Sequence, residues 1–182
     1  MSLRFIFTVL IAFSLSSAFT QDNNNLITTM RIGPFKLNSK KEEVEAVAKT
    51  RLQFLKSLSP DNYFDTAFVV YNNAKYQLVF KMQDEENAGA LPKKLYSVSS
   101  INTGLKTRSN IGIGGNKSQI LLAYDKMDVS VYNDYFYKDK KNTKDKIQYI
   151  EVQDKDNYTR IIFTTVDRVV TEVAVSYIEE GD

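Results

Sequence analysis

The sequence has no cysteine and no histidine. Without cysteine there is no disulfide and no diacylglyceryl anchor, so an exported domain of this kind must be held together by its core. The two absences together exclude Cys-His and Ser-His-Asp catalysis and the ordinary zinc sites. Excess charge of one sign is missing too: 24 basic residues face 22 acidic ones, which gives no strong field for nucleic acid or for an anionic membrane. What is present is a chain of 182 residues, 43% apolar and 25% charged, the composition of a globular protein with a sizeable core.

The N-terminal apolar run, Phe5 to Leu15, falls short of the roughly 18 to 20 residues of a membrane span. It follows Met-Ser-Leu-Arg and precedes Ser16-Ser17-Ala18, so it reads as the h-region of a secretory signal peptide over residues 1–20. The expected location is therefore outside the cytoplasm, periplasmic or extracellular. The lack of cysteine suits a bacterial protein. Residues 21–29, with Asn23-Asn24-Asn25, are polar and aperiodic and are expected to form a flexible leader.

Two stretches share a plan. Phe35 to Leu37 reads as extended, and Ser39-Lys40-Lys41-Glu42 has capping-box spacing. Val44, Val47, Ala48, Leu52, Leu55 and Leu58 continue at helical steps until Pro60, predicting a helix over 39–58. Further on, Ile111-Gly112-Ile113-Gly114-Gly115 leads into Asn116-Lys117-Ser118-Gln119, a second capping box opening a helix over 116–126. Each helix is followed by β-branched and aromatic runs. The first set is Asp65 to Tyr71, Tyr76 to Met82 and Leu95 to Ile101; the second is Val129 to Tyr137, Ile147 to Val152, Thr159 to Thr165 and Val169 to Tyr177. The expected fold is α+β: two tandem units, 30–105 and 106–182, each a capped helix packed on an antiparallel β-meander.

The glycines at 112, 114 and 115 with Lys117-Ser118 suggest a phosphate loop, but Asn116 stands where the last glycine should be, so a turn and N-cap is the better reading. Acidic groups at Asp84-Glu85-Glu86, Asp125 with Asp128, and Asp154 with Asp156 sit in polar turns or helix ends, where solvated charge is the default. No catalytic residue, metal or cofactor is expected. The most aromatic segment, Tyr132-Asn133-Asp134-Tyr135-Phe136-Tyr137, offers large contact area with polar handles. Tyr132, Tyr135, Phe136, Tyr137 and Tyr149 are the candidate binding residues on a tyrosine-rich sheet face.

The order of capped helix and meander, closing on Ile161-Ile162-Phe163 and Val169 to Val175, resembles the helix-then-sheet unit of the BamE-like (SmpA/OmlA) lipoproteins. Two in tandem are similar to the secreted β-lactamase-inhibitor proteins. The resemblance implies a non-enzymatic module that meets protein partners through sheet faces or loops. The lipobox cysteine of the first family and the loop-bracing cysteines of the second are absent here, so it implies neither anchoring nor any residue-specific role. The expected function is an exported protein-binding or envelope-assembly module, with no nucleic acid and no membrane span. Its alternatives are an inhibitor of a secreted or periplasmic enzyme and a small carboxylate-dependent hydrolase.

Overall fold

The computed structural model describes residues 23–55, 64–81, 93–133 and 147–178. The signal segment and Tyr135, Phe136 and Tyr137 lie outside the described residues. Three short strands open the fold: β1 (Leu26–Thr28), β2 (Arg31–Ile32) and β3 (Phe35–Lys36). The leader expected over 21–29 thus gives way at Leu26 to a strand, because Leu26 and Ile27 are buried in the core. Burial of two large aliphatic side chains outweighs the polarity of the asparagines before them.

Helix α1 (Lys41–Ala48) is much shorter than the expected 39–58. The N-cap is Lys40 rather than Ser39, with its amide donating to the Glu43 carboxylate at 3.0 Å. Ser39 is unavailable as a cap because its carbonyl accepts the Leu95 amide at 2.9 Å, tying it to a strand. At the other end Lys49 turns left-handed, with φ 54, and the Glu45 side chain accepts the Leu52 amide at 2.8 Å. The apolar residues beyond are used in extended form: Leu52 is buried, and Phe54 bridges to Ala67 and meets Phe80 edge-on at 5.6 Å.

Strands β4 (Phe64–Tyr71) and β5 (Ala74–Lys81) form the expected hairpin. Its loop is Asn72-Asn73, both with positive φ, the geometry that suits the right-handed twist of the flanking strands. After β6 (Lys94–Ser100) and β7 (Lys106–Thr107), Gly112 passes so close to Leu105 that a Cβ would stand 2.1 Å from its carbonyl oxygen. Helix α2 (Lys117–Ala123) carries the predicted capping box: the Gln119 amide donates to Asn116 Oδ1 and the Asn116 amide to Gln119 Oε1, both at 3.0 Å. The remaining strands are β8 (Asp128–Asn133), β9 (Ile147–Asp154), β10 (Thr159–Val166) and β11 (Val169–Tyr177), with a left-handed pair Asp167-Arg168 closing the last hairpin.

These strands do not form two separate meanders. One seven-stranded antiparallel sheet runs β4-β5-β6-β11-β10-β9-β8, and a four-stranded sheet runs β3-β2-β1-β7. The expected α+β fold of two helix-capped units is therefore corrected: the chain is mostly strand, with two sheets and two short helices. The physical reason lies at β6 and β11. Each has one edge unpaired within its own half, and pairing Val98 with Val175 satisfies both rows of backbone groups at once.

Two rows cross the whole inner face of the large sheet. Ala67, Leu78, Val98, Val175, Ile161, Val152 and Val129 line up across all seven strands, and Val69, Tyr76, Ser100, Val173, Phe163, Ile150 and Val131 form the next row. Against these rows pack Ile27, Ile32, Phe35 and Leu37 of the small sheet, with Val44 and Ile120 from the helices. Both pre-helix turns are stitched to the start of a strand. The Asn38 amide donates to the Leu95 carbonyl at 2.8 Å, and the Gly114 amide donates to the Val170 carbonyl at 2.9 Å.

Among the described residues, the buried Thr159 Oγ1 has no hydrogen-bond partner. Replacing it with a methyl removes an unpaid desolvation cost, so Thr159→Val is expected to raise stability by about 1 kcal/mol, read as an increased urea midpoint. A second outcome concerns the tie between β1 and β9, where the Thr29 hydroxyl donates to Asp154 Oδ2 at 2.8 Å. Desolvation would raise the Asp154 carboxyl, but hydrogen bonds from the Asn157 side chain, Thr29 and the Asn157 and Asp156 backbone outweigh it and hold the group below its ordinary value. A carboxylate with a depressed value adds stability above its unfolded pKa and loses it as pH falls through the folded one. Asp154→Asn is therefore expected to remove part of the acid-side slope in a pH series of denaturation midpoints, leaving the neutral-to-basic side flat.

Candidate functional site

Side chains alternate across a strand, so the core rows leave a second face of the seven-stranded sheet turned away from the small sheet. One line across this outer face is Phe68, Gln77, Ser99, Ala174, Ile162, Glu151 and Ser130; the next is Thr66, Val79, Ser97, Ser176, Arg160, Gln153 and Asp128. The middle of both lines, where β6 meets β11, holds only Ser97, Ser99, Ala174 and Ser176. Larger groups stand on either side of this low floor.

On the β8 and β9 side, Tyr132 and Tyr149 are direct cross-strand partners with ring centroids 5.3 Å apart. Tyr132 is 40% exposed. Beneath them Glu151, only 4% exposed, is held by three donors. Arg160 Nη1 reaches Glu151 Oε2 at 3.2 Å, the Tyr132 hydroxyl reaches the same oxygen at 3.4 Å, and Gln153 Nε2 reaches Oε1 at 2.8 Å. Arg160 Nε also donates to Ser176 Oγ at 3.1 Å. Through the Tyr132 hydroxyl this network links the tyrosine pair to the serine floor, and its charge-assisted Arg160 to Glu151 bond is the strong member.

On the β4 and β5 side, Lys81 Nζ lies 5.4 Å from the ring centroids of both Phe64 and Tyr96, and Lys75 Nζ lies 4.8 Å over Phe68. A hollow of about 150 Å³ opens here, lined by Phe68, Lys75, Gln77, Ser99, Ile101 and Glu172. Phe68, Val70 and Ile101 are exposed.

Of the residues singled out in the sequence, Tyr132 and Tyr149 are brought together, while Tyr135, Phe136 and Tyr137 lie outside the described residues. The other tyrosines do not share one face. Tyr76 is buried in the inner row against Phe35, Tyr71 also meets Phe35, and Tyr158 sits exposed in a turn. Phe64, Phe68, Glu151, Arg160 and the serine floor were not foreseen. The alternation Lys75, Gln77, Val79, Lys81 against buried Ala74, Tyr76, Leu78, Phe80 is the one local signal that marks this face.

The glycine turn before α2 is structural. The Lys117 amide donates to the Arg168 carbonyl at 2.9 Å and the Gln119 amide is taken by the cap, so these amides are not turned to a ligand. The carboxylates at the turns are engaged as well: Asp128 pairs with Lys155 at 2.6 Å, and Asp154 accepts from Asn157 and Thr29. Asp84, Glu85 and Glu86 lie outside the described residues.

Removing one member of the buried pair leaves the other charge uncompensated. Glu151→Ala is expected to cost about 3 kcal/mol in urea denaturation, and Glu151→Leu combined with Arg160→Met is expected to recover most of that loss. Equal destabilisation by the single and double variants would contradict this account of the network.

Compared with family models, curated proteins and solved structures, the chain matches none of them, and its function has to be read from its own residues.

Proposed function

We propose that this chain is an exported, non-catalytic protein-binding module that meets its partner through the outer face of the seven-stranded sheet. The observation that carries the reading is the stacked pair of exposed Tyr132 and half-buried Tyr149, whose Tyr132 hydroxyl reaches the Glu151 and Arg160 network at 3.4 Å beside a floor of small residues. Rigid aromatic side chains next to a low floor suit a partner's protruding side chain, because little conformational entropy remains to be lost on association. Exposed Phe68 and Ile101 at the far side widen the apolar contact, and Lys75 and Glu172 supply polar groups around the hollow. The signal-like N-terminus supports export.

The test is affinity capture from the native medium or cell envelope with the full chain and with a Tyr132→Ala/Tyr149→Ala variant. A protein enriched by the parent and lost, by about tenfold or more, with the variant is the expected result. Both baits must show the same β-rich circular dichroism. Enrichment of nothing, or equal enrichment by both baits, would sink the reading. An enzyme among the captured proteins, losing activity when the chain is added, would make the module an inhibitor.

A further inference from the structure

A second concavity lies on the opposite side of the large sheet from the tyrosine pair. It has a volume of about 470 Å³ and opens between the end of β1, the turn after β7 and the C-terminal end of α2. Small-molecule sites commonly fall in the range of about 300–1,000 Å³ and combine an apolar lining with a few placed polar groups. Here Ile27 and Ile161, both nearly fully buried, supply an aliphatic floor, and Met127, 39% exposed, offers an adaptable thioether at the mouth. Tyr124 adds an aromatic wall, its ring 6.2 Å from that of Phe163.

The polar groups of the lining divide into those already used and those left over. The Thr28 hydroxyl accepts the Met30 amide at 3.2 Å, and the Thr29 hydroxyl is given to Asp154. The Thr107 hydroxyl accepts the Ile111 amide at 3.1 Å and lies near the Tyr124 phenol. Burial pushes that phenol up, against the smaller opposing effect of Thr107, so it stays neutral at physiological pH. What is left is Arg108, beside Ser109. Among the described residues, no hydrogen bond, ion pair or ring contact engages the Arg108 guanidinium, and no carboxylate lines the cavity. An apolar floor with one uncommitted guanidinium at its rim complements a molecule with an apolar body and a planar anionic head, which arginine meets with two parallel hydrogen bonds.

We propose that this cavity binds a small amphipathic carboxylate, its tail against Ile27, Ile161 and Met127 and its head on Arg108. The site is separate from the outer face and stands or falls independently of it.

Octanoate is the probe, with octanol as its uncharged counterpart, added to the full chain carrying carbon-13 methyl-labelled methionine. The Met127 methyl signal, identified by its absence in Met127→Ala, is expected to move saturably with octanoate. Octanol is expected to bind at least tenfold more weakly. Arg108→Gln, at an exposed position that leaves the core untouched, is expected to weaken octanoate by about tenfold while leaving octanol unchanged. A Met127 signal unmoved at millimolar octanoate would overturn the proposal. So would equal affinity for the acid and the alcohol, or an Arg108→Gln variant that binds octanoate like the parent.

Discussion

The pairing of β6 with β11 is the constraint on which the rest of the structure depends. Four residue pairs, from Val173 with Ser100 to Ser176 with Ser97, join the two halves of the large sheet. A chain without disulfides has no covalent staple, so its halves are held by buried area and by backbone groups that would otherwise face water at two strand edges. The consequence is visible in the inner rows, which cross the junction without interruption: Leu78, Val98, Val175 and Ile161 are all in the core. A residue that disturbs the junction disturbs both halves.

The same junction shapes the outer face. Val98 and Val175 fill the inside, and their neighbours Ser97, Ser99, Ala174 and Ser176 necessarily point outward. These side chains are short, so the face is lowest where its two halves meet and is bounded by aromatic groups further out. Glu151 and Arg160 lie between floor and rim, where the Tyr132 hydroxyl reaches Glu151 and the Tyr132 ring packs against that of Tyr149. The shape of the outer face and the fold thus share one cause. The cavity near Arg108 has a different origin, in the gap left where β1, the β7 turn and α2 converge over Ile161.

Local chemistry was legible where it is decided locally. Asn72-Asn73 reads as a hairpin turn because asparagine tolerates the left-handed conformation, and Asp167-Arg168 because it joins two clear strand runs. The capping box at Asn116 and Gln119 followed from spacing alone. The box expected at Ser39 failed because the Leu95 amide, distant in sequence, claims the Ser39 carbonyl. The helix expected to reach residue 58 stopped at Ala48 for a similar reason, since Leu52 and Phe54 find their burial beside β4 rather than along a helical stripe. Tyr132 and Tyr149 were identified as aromatic strand residues, but only their register made them neighbours. Tyr76 and Tyr71, equally prominent in the sequence, turned to the core and to Phe35.

The sequence by itself determined which chemistries are absent, where the main strands and tight turns fall, and the cap of α2, because these rest on residue identity and short-range sterics. Tertiary structure alone decided that the long strands of the two halves join in one seven-stranded sheet, which face each tyrosine occupies, and that Glu151 and Arg160 meet. Those outcomes depend on which edge pairs with which and in what register, and a one-residue change in register would send every side chain of a strand to the other face.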